Sequence, residues 1–399
     1  MAQPSRERRA NAPGTTHELL LAARALAPRI RALGDEIERD RRLPPPLVRE
    51  LAQAGIFRML VPRDLGGFET HPATMIDCLA EIARADGSAG WCAMIGATTG
   101  VIGAYLPEPV GREIYASDPS VVTGGVFHPR GVARAEGTAY RVSGRWPFSS
   151  GCQHCDWLLG GVIVHDGDRP RLLPSGAPEM RQMVFPAAEA EIIDTWSVAG
   201  LRGSGSHDIA VKDVLVPRER SLALTSDAPR VASPLYAFPL FGLLALGIAA
   251  VALGIAERAI EELVALAAGK VATGGRRPIA LRSAVQTDVA RARAMVRGAR
   301  ALLLDGVDQA WQSAPKGDAI RVEERALVRL AATHATRSCA EAVDLMYEAG
   351  GGTSIYAGSL LQRCFRDVHV ATQHAMVAAS TYELTGRLLL GLETDSAML

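Results

Sequence analysis

No charge of one sign dominates this 399-residue chain: Lys plus Arg and Asp plus Glu number 43 each. That balance gives no footprint for nucleic acid or an anionic membrane and favours a neutral or modestly polar small-molecule partner. Cysteine is sparse. Six thiols, Cys78, Cys92, Cys152, Cys155, Cys339 and Cys364, are too scattered for a disulfide framework and fit a reducing, cytoplasmic setting. Residues 1–14 carry the run Arg6-Glu7-Arg8-Arg9 but no apolar stretch, so they read as a disordered tail and not as a signal peptide. No internal repeat or low-complexity tract stands out. Gly350-Gly351-Gly352 neither follows a strand nor has the Gly-x-Gly-x-x-Gly form, which argues against a nicotinamide-binding Rossmann site. Cys152-Gln153-His154-Cys155 is not followed by a second ligand pair at finger spacing, so no metal site is expected.

What the chain does have is apolar residues, 48% of the total, enough for a large core divided among two or three domains. Leu19, Leu20, Ala23, Leu26, Ile30, Leu33 and Ile37 fall at helical spacing within 17–39. Pro44-Pro45-Pro46 opens a second helix that Gly55 closes, and a third is expected over 72–84. From Val121 the pattern changes to short runs rich in Val, Ile and Gly separated by turn residues, including 157–164, 181–185 and 207–211, as in a small β-domain. Beyond Ala228 helical patterning returns over about 240–268, 280–313, 320–350 and 356–391. The stretch 231–256 is uncharged and long enough to raise the question of a membrane span. Its glycines and alanines, from Gly242 to Ala256, instead suit close packing of a helix buried on all sides. The expected division is a tail at 1–14, an N-terminal helical domain at 15–120, a middle β-domain at 121–227 and a C-terminal helical bundle at 228–399.

Four motifs carry chemistry. Ala85-Asp86-Gly87-Ser88-Ala89-Gly90-Trp91, Gly144-Arg145-Trp146-Pro147-Phe148-Ser149-Ser150-Gly151 and Gly200-Leu201-Arg202-Gly203-Ser204-Gly205-Ser206 occur in that order. The fourth is Gln362-Arg363-Cys364-Phe365-Arg366-Asp367, leading to His374-Ala375 after the triple glycine. Together they resemble the two-component flavin-dependent monooxygenases (hydroxylases) of acyl-CoA dehydrogenase fold, and the resemblance covers nearly the whole chain after the tail. Aligning Arg366-Asp367 with the Arg-Asp of the dehydrogenases puts Ala375 where many of them keep their carboxylate base. The resemblance therefore implies the fold without the dehydrogenation chemistry: an α+β, mostly α chain with N-terminal helices, a middle β-barrel and an antiparallel four-helix bundle.

For function the resemblance implies hydroxylation of an aromatic or polyketide-like small molecule by O2 and reduced FAD or FMN, with FAD slightly preferred, through a C4a-hydroperoxyflavin. With no pyridine-nucleotide site, the flavin must arrive reduced from a separate NAD(P)H:flavin reductase, and the scaffold implies a homotetramer. His374 is the expected catalytic imidazole, titrating near neutrality and sharing one helix face with Arg366 and Val370, while His369 points elsewhere. Ser149 is the expected hydroxyl at flavin N5. Ser150 stays open for that role, because only one of two successive strand residues faces a site. Cofactor contacts are expected from Phe127, His128, Trp146, Phe148, Ser150, Arg202, Ser204, Ser206, Gly351, Gly352 and Asp367. Substrate contacts are expected from Trp91, Met94, Thr99 and Phe238. The alternatives are an acyl-CoA dehydrogenase whose base has moved to Glu257, Glu261 or Glu262, N-hydroxylation of an amino sugar on the same scaffold, and a flavin-free binding protein.

Overall fold

The computed structural model describes residues 15–314 and 320–399; the expected tail at 1–14 lies outside them. Helices α1 (Thr15–Asp40), α2 (Pro45–Gln53), α3 (Pro72–Ala85), α4 (Gly87–Thr99) and the short α5 (Glu108–Gly111) precede the sheet. The apolar stripe read from α1 is buried: Leu19, Ala23, Ile30, Leu33 and Ile37 all face the core. Asp86 ends α3 and starts α4, its Oδ1 accepting the Ala89 amide at 2.9 Å, so the Asp-Gly-Ser motif is a helix N-cap. Gly90 is required on α4 because a Cβ there would lie 2.5 Å from that of Ala83 on α3.

Eight strands follow: β1 (Thr123–Glu136), β2 (Ala139–Ser149), β3 (Trp157–Asp166), β4 (Arg169–Pro170), β5 (Met180–Pro186), β6 (Glu191–Ile193), β7 (His207–Pro217) and β8 (Ser221–Leu222). They make one sheet in the order β6-β7-β2-β1-β3-β5-β8, with β4 on β3; β1 and β3 run parallel and the other pairings are antiparallel. The expected barrel is thus an open sheet whose edges are β6 and β8. Its own small core centres on Trp146, fully buried, with the indole donating to the Gly161 carbonyl at 2.7 Å. Gly131, Gly144 and Gly160 leave the slot for that ring, since a Cβ on any of them would come within 2.5–2.7 Å of it.

After α6 (Pro234–Ala237) come α7 (Leu240–Gly269), α8 (Ser283–Ser313), α9 (Val322–Gly350), α10 (Leu360–Ala371) and α11 (Ser380–Leu389). The uncharged stretch runs through α6 into the first half of α7, which is buried from Phe241 to Ala256 against α3, α4, α9 and α10. Its glycines explain how it is enclosed: a Cβ on Gly242 would meet Val328 of α9 at 2.8 Å, on Gly247 Met94 of α4 at 2.8 Å, and on Gly254 the Ala80 carbonyl of α3 at 2.3 Å. Backbone lies against backbone at this last point, a spacing that no side-chain rotation can relieve.

The single helix expected over 356–391 is broken, and this corrects the placement of His374. α10 ends at Ala371; Gln373 and His374 donate to the carbonyls of Val370 and Ala371, three residues back. His374 is extended, at φ −69° and ψ 132°, and opens the short turn Ala375–Val377. The hydroxyl of Thr372 donates to the His369 carbonyl at 2.7 Å and competes with the helical pattern at that point. Arg366, Val370 and His374 therefore do not form one helical face.

Gly254→Ala is expected to lower stability by about 1–3 kcal/mol through overpacking. Gly269→Ala at the open end of the same helix, where a Cβ meets nothing within 4 Å, serves as the control, and denaturant unfolding of both distinguishes them.

Candidate active site

Two motifs far apart in sequence are brought together by a loop. The segment 199–206 passes between α10 and α1, where a Cβ on Gly200 would lie 2.2 Å from the Arg366 carbonyl and one on Gly203 2.1 Å from Ile37. The Leu201 amide, in the left-handed region at φ +49°, donates to Asp367 Oδ1 at 2.6 Å. Arg366 donates to the Ala199 carbonyl. Asp367 is buried and acts as the anchor of this loop.

At the end of β2 the ladder slips: Trp146 pairs with Ile209 and Ser149 with His207, so β2 carries one extra residue. Phe148 absorbs the bulge in the left-handed region at φ +65°. The period-2 alternation is lost there, and Ser149 and Ser150 both turn inward, at 0% and 5% exposure. Their surroundings separate them. Ser150 Oγ receives the Trp91 indole N–H at 3.0 Å and lies 2.7 Å from Ser206 Oγ, whereas Ser149 Oγ is buried with no hydrogen-bond partner. A buried hydroxyl left unpaired is costly and is free to bond a ligand. Arg202 repeats the pattern, its Nε buried and unpartnered on the same loop. Phe148 is 68% exposed beside them, its ring edge-on to Trp196 at 6.3 Å. These three features fit a flavin held by Ser149, Arg202 and Phe148.

His374 lies across from this cluster, its ring centroid 5.9 Å from that of Trp91. The ring is partly exposed in the single chain, and loss of hydration, with Arg329 as the second cause, pushes its pKa down to about 4. The expectation of an imidazole titrating near neutrality is corrected: the ring is neutral at pH 7. Nδ1 accepts the Met376 amide at 3.2 Å, which places the proton on Nε2 and makes His374 a hydrogen-bond donor there. Arg329 is buried, donates to the carbonyls of Met376 and Met398 at 3.0 and 2.6 Å, and holds the turn that carries the histidine.

Other expected contacts sit differently. Trp146 is fully buried in the core of the sheet. Ser204 and Ser206 bond to each other at 2.7 Å. Phe127 and His128 occupy a bulge in β1 opposite Gly160 and Gly161; the Phe127 carbonyl accepts from Gln182 at 2.9 Å, and His128 is exposed. Gly351, at φ +55°, and Gly352 lie on an exposed turn beside Ile355 and Tyr356. Met94 packs on Gly247 of α7. Thr99 is fully engaged, bonding to the Ile95 carbonyl at 2.9 Å and to Thr123 at 2.8 Å, and clasps α4 to β1. Phe238 stands 6.2 Å from Trp311 in a separate aromatic group that includes His71. Sequence reasoning missed Asp86, whose buried carboxyl faces Asp367 across Gly87, and the Trp91–Ser150 bond; the Asp-Gly-Ser cap was the signal for the first.

Comparison with known proteins finds relatives over most of the chain. Residues 17–109 match the model of the acyl-CoA dehydrogenase N-terminal domain and 246–379 that of the C-terminal domain. Indole-3-acetate monooxygenase of Pseudomonas putida is 35% identical over 364 residues, 91% of either chain. The FADH(2)-dependent resorcinol hydroxylase, oxygenase component, of Rhizobium sp. (strain MTP-10005) is 28% identical, with 91% of each chain covered. The crystal structure of 3-HSA hydroxylase from Rhodococcus sp. RHA1 superposes with a TM-score of 0.89 at 26% identity, covering 96% of this chain and 99% of that one. The chain belongs to the flavin-dependent monooxygenases of acyl-CoA dehydrogenase fold. Within that family it is the oxygenase component of a two-component system and depends on reduced flavin.

Burial pushes the carboxyl of Asp86 up to about 6 and that of Asp367 up to about 7, the second helped by the charge of Asp86. Both lie above the ordinary value of about 4 for an unfolded chain. The folded protein therefore keeps protons that the unfolded chain has lost, and this contribution to stability disappears as pH rises through 6 to 7. The unfolding midpoint is expected to fall between pH 5 and pH 8. Asp86→Asn, which keeps a good N-cap, should flatten the fall; equal slopes for both proteins would rule out the coupling.

Proposed function

We propose that this oxygenase hydroxylates an aromatic small molecule, takes its reduced flavin as FAD in preference to FMN from a separate NAD(P)H:flavin reductase, and works as a homotetramer. The observation that carries the reading is the unpartnered, fully buried hydroxyl of Ser149 at the strained end of β2. Reduced flavin, when bound, supplies the two electrons that let O2 be divided between a new substrate hydroxyl and water. Ser149 offers one donor and one acceptor to hold the flavin edge, and Arg202 adds a charge from the loop.

His374, neutral and protonated at Nε2, donates a hydrogen bond to an oxygen of the substrate or of the oxidant and does not serve as a base. The indole face of Trp91 beside it supports an aromatic ring as substrate. The preference for aromatic substrates and for FAD draws on the indole-acetate and resorcinol enzymes, whose names state those properties. The exposed Ile355 and Tyr356 next to Gly351-Gly352, and Leu389 and Leu390 at 81% and 77% exposure, fit surfaces covered by neighbouring subunits.

The dehydrogenase alternative lacks a free base. Ala375 carries no acid, Glu257 pairs with Arg293, Glu261 with Arg84 at 2.5 Å and Glu262 with Arg258 at 2.6 Å.

The test is turnover with pre-reduced FAD in oxygenated buffer against phenols and indoles, measuring hydroxylated product and hydrogen peroxide together. His374→Ala should reduce product formation about 10- to 100-fold, the scale of a lost hydrogen bond to a charged oxygen. Ser149→Ala should divert oxygen to peroxide. Between pH 6 and 9 the wild-type rate should show no titration assignable to His374, whose ring stays neutral throughout. Bleaching of bound oxidised flavin by an acyl-CoA, with peroxide as the sole oxygen product, would overturn the reading.

A further inference from the structure

The hydroxyls around Ser150 form a line with a fixed direction. The Trp91 Nε1–H can only donate, and it donates to Ser150 Oγ at 3.0 Å. Ser150 Oγ and Ser206 Oγ are 2.7 Å apart, Ser206 Oγ and Ser204 Oγ again 2.7 Å, and Ser204 Oγ donates to the Leu201 carbonyl at 2.7 Å. A carbonyl can only accept, so the last bond orients Ser204, and Ser204 is then available to accept from Ser206. Ser206, its own proton given to Ser204, accepts in turn from Ser150. Every proton has one destination. All four side chains are buried, at 6%, 5%, 3% and 1% exposure from Trp91 to Ser204, where bonds of this kind polarise one another and a missing partner is costly.

The two ends of this line matter for the reaction. At one end the indole of Trp91 lies against His374 at 59° and 5.9 Å. At the other, Leu201 is the residue whose amide is tied to Asp367 and whose carbonyl also accepts from the Trp196 indole at 3.1 Å. The middle of the line crosses the junction between β2 and the loop, which is closed a second time by the Gly151 amide donating to the Ser204 carbonyl at 2.8 Å.

We propose that Trp91, Ser150, Ser206 and Ser204 are positioning residues for the hydroxylation: a one-way hydrogen-bond chain that fixes the Trp91 ring, and through it His374, to the loop that carries Arg202. The chain also assigns the two serines. Ser150 has its single proton committed to Ser206, so Ser149 alone has a hydroxyl free for a ligand. The chemical consequence rests on the function proposed above, but the chain itself belongs to the protein without any ligand and can be read there.

The experiment uses full-length protein without flavin, with its five tryptophans labelled at the indole nitrogen, and follows hydrogen exchange of the Trp91 indole N–H by NMR. Ser206→Ala should speed exchange at Trp91 at least about fivefold, the scale of one neutral hydrogen bond, and Ser206→Thr, which restores a hydroxyl, should reverse it. Trp196, which reaches the Leu201 carbonyl without passing through the serines, is the internal reference and should not change. A general loosening would move both indoles and the unfolding midpoint, and that result would overturn the proposal, as would an unchanged Trp91. With flavin, Ser206→Ala and Trp91→Phe should each lower the ratio of product to peroxide by a similar factor, and the double variant should be no worse than either single one. Multiplicative losses would refute the chain. If no substrate is hydroxylated by wild type, the proposed function fails while the exchange result still decides the chain.

Should Ser206→Ala not fold, Ser204→Ala interrupts the same line one bond later and carries the same expectation.

Discussion

The site depends on one hydrogen bond between distant parts of the chain, from the Leu201 amide to the Asp367 carboxylate at 2.6 Å. It fixes a left-handed residue of a loop to the helix that ends just before His374. The loop's other fastenings, the contact of Gly200 with the α10 backbone and the bond from Arg366 to Ala199, lie within the same turn of α10. Because Asp367 shares its buried surroundings with Asp86, the cap of α4, the three pieces that meet at the site converge on one pair of carboxyls. α4 brings Trp91, the loop brings Arg202, and α10 leads to His374. A pair of this kind cannot be fully ionised without cost, so the junction holds a proton near neutrality.

Two strained or unsatisfied groups stand where these pieces meet. Phe148 holds a backbone conformation that costs of order 1–3 kcal/mol for a residue with a side chain, and it does so at the residue before the unpaired Ser149. The strain has a local purpose: the bulge reverses the direction in which Ser149 faces, and without it the serines would alternate across the sheet. Local strain and an orphaned hydroxyl together identify the working edge of the sheet better than any cavity does.

Much of this was legible in the sequence. The helical stripe of α1 and the small residues of α7 followed from spacing and residue type, and the structure carries them where expected. Of the four motifs, the fold joins the first three through the Trp91–Ser150 and Ser150–Ser206 bonds and sets His374 of the fourth beside Trp91. What was not legible depended on tertiary packing. The apolar spacing continues smoothly through Thr372 and Gln373, so nothing in the pattern shows that the helix stops at Ala371. Strand alternation predicts that one of Ser149 and Ser150 points away, and only the extra residue opposite β7 makes both face inward. Trp146 sits in a motif associated with the flavin but fills a slot among glycines from three strands, a fact about neighbours distant in sequence. The pKa of His374 follows from its burial and from Arg329, neither of which local sequence reports.

The enclosed helix α7 has a further role as the reference from which the rest of the molecule is measured. It has no solvated face over its first half, so it has no freedom to settle at a different depth. Gly254 sets the depth of α3, Gly247 that of α4, and Gly242 that of α9, while α10 and the 375–377 turn rest on the same helix. The separation of Trp91 from His374 is therefore gauged by a helix to which neither belongs, and whose contribution is the absence of side chains at a few positions.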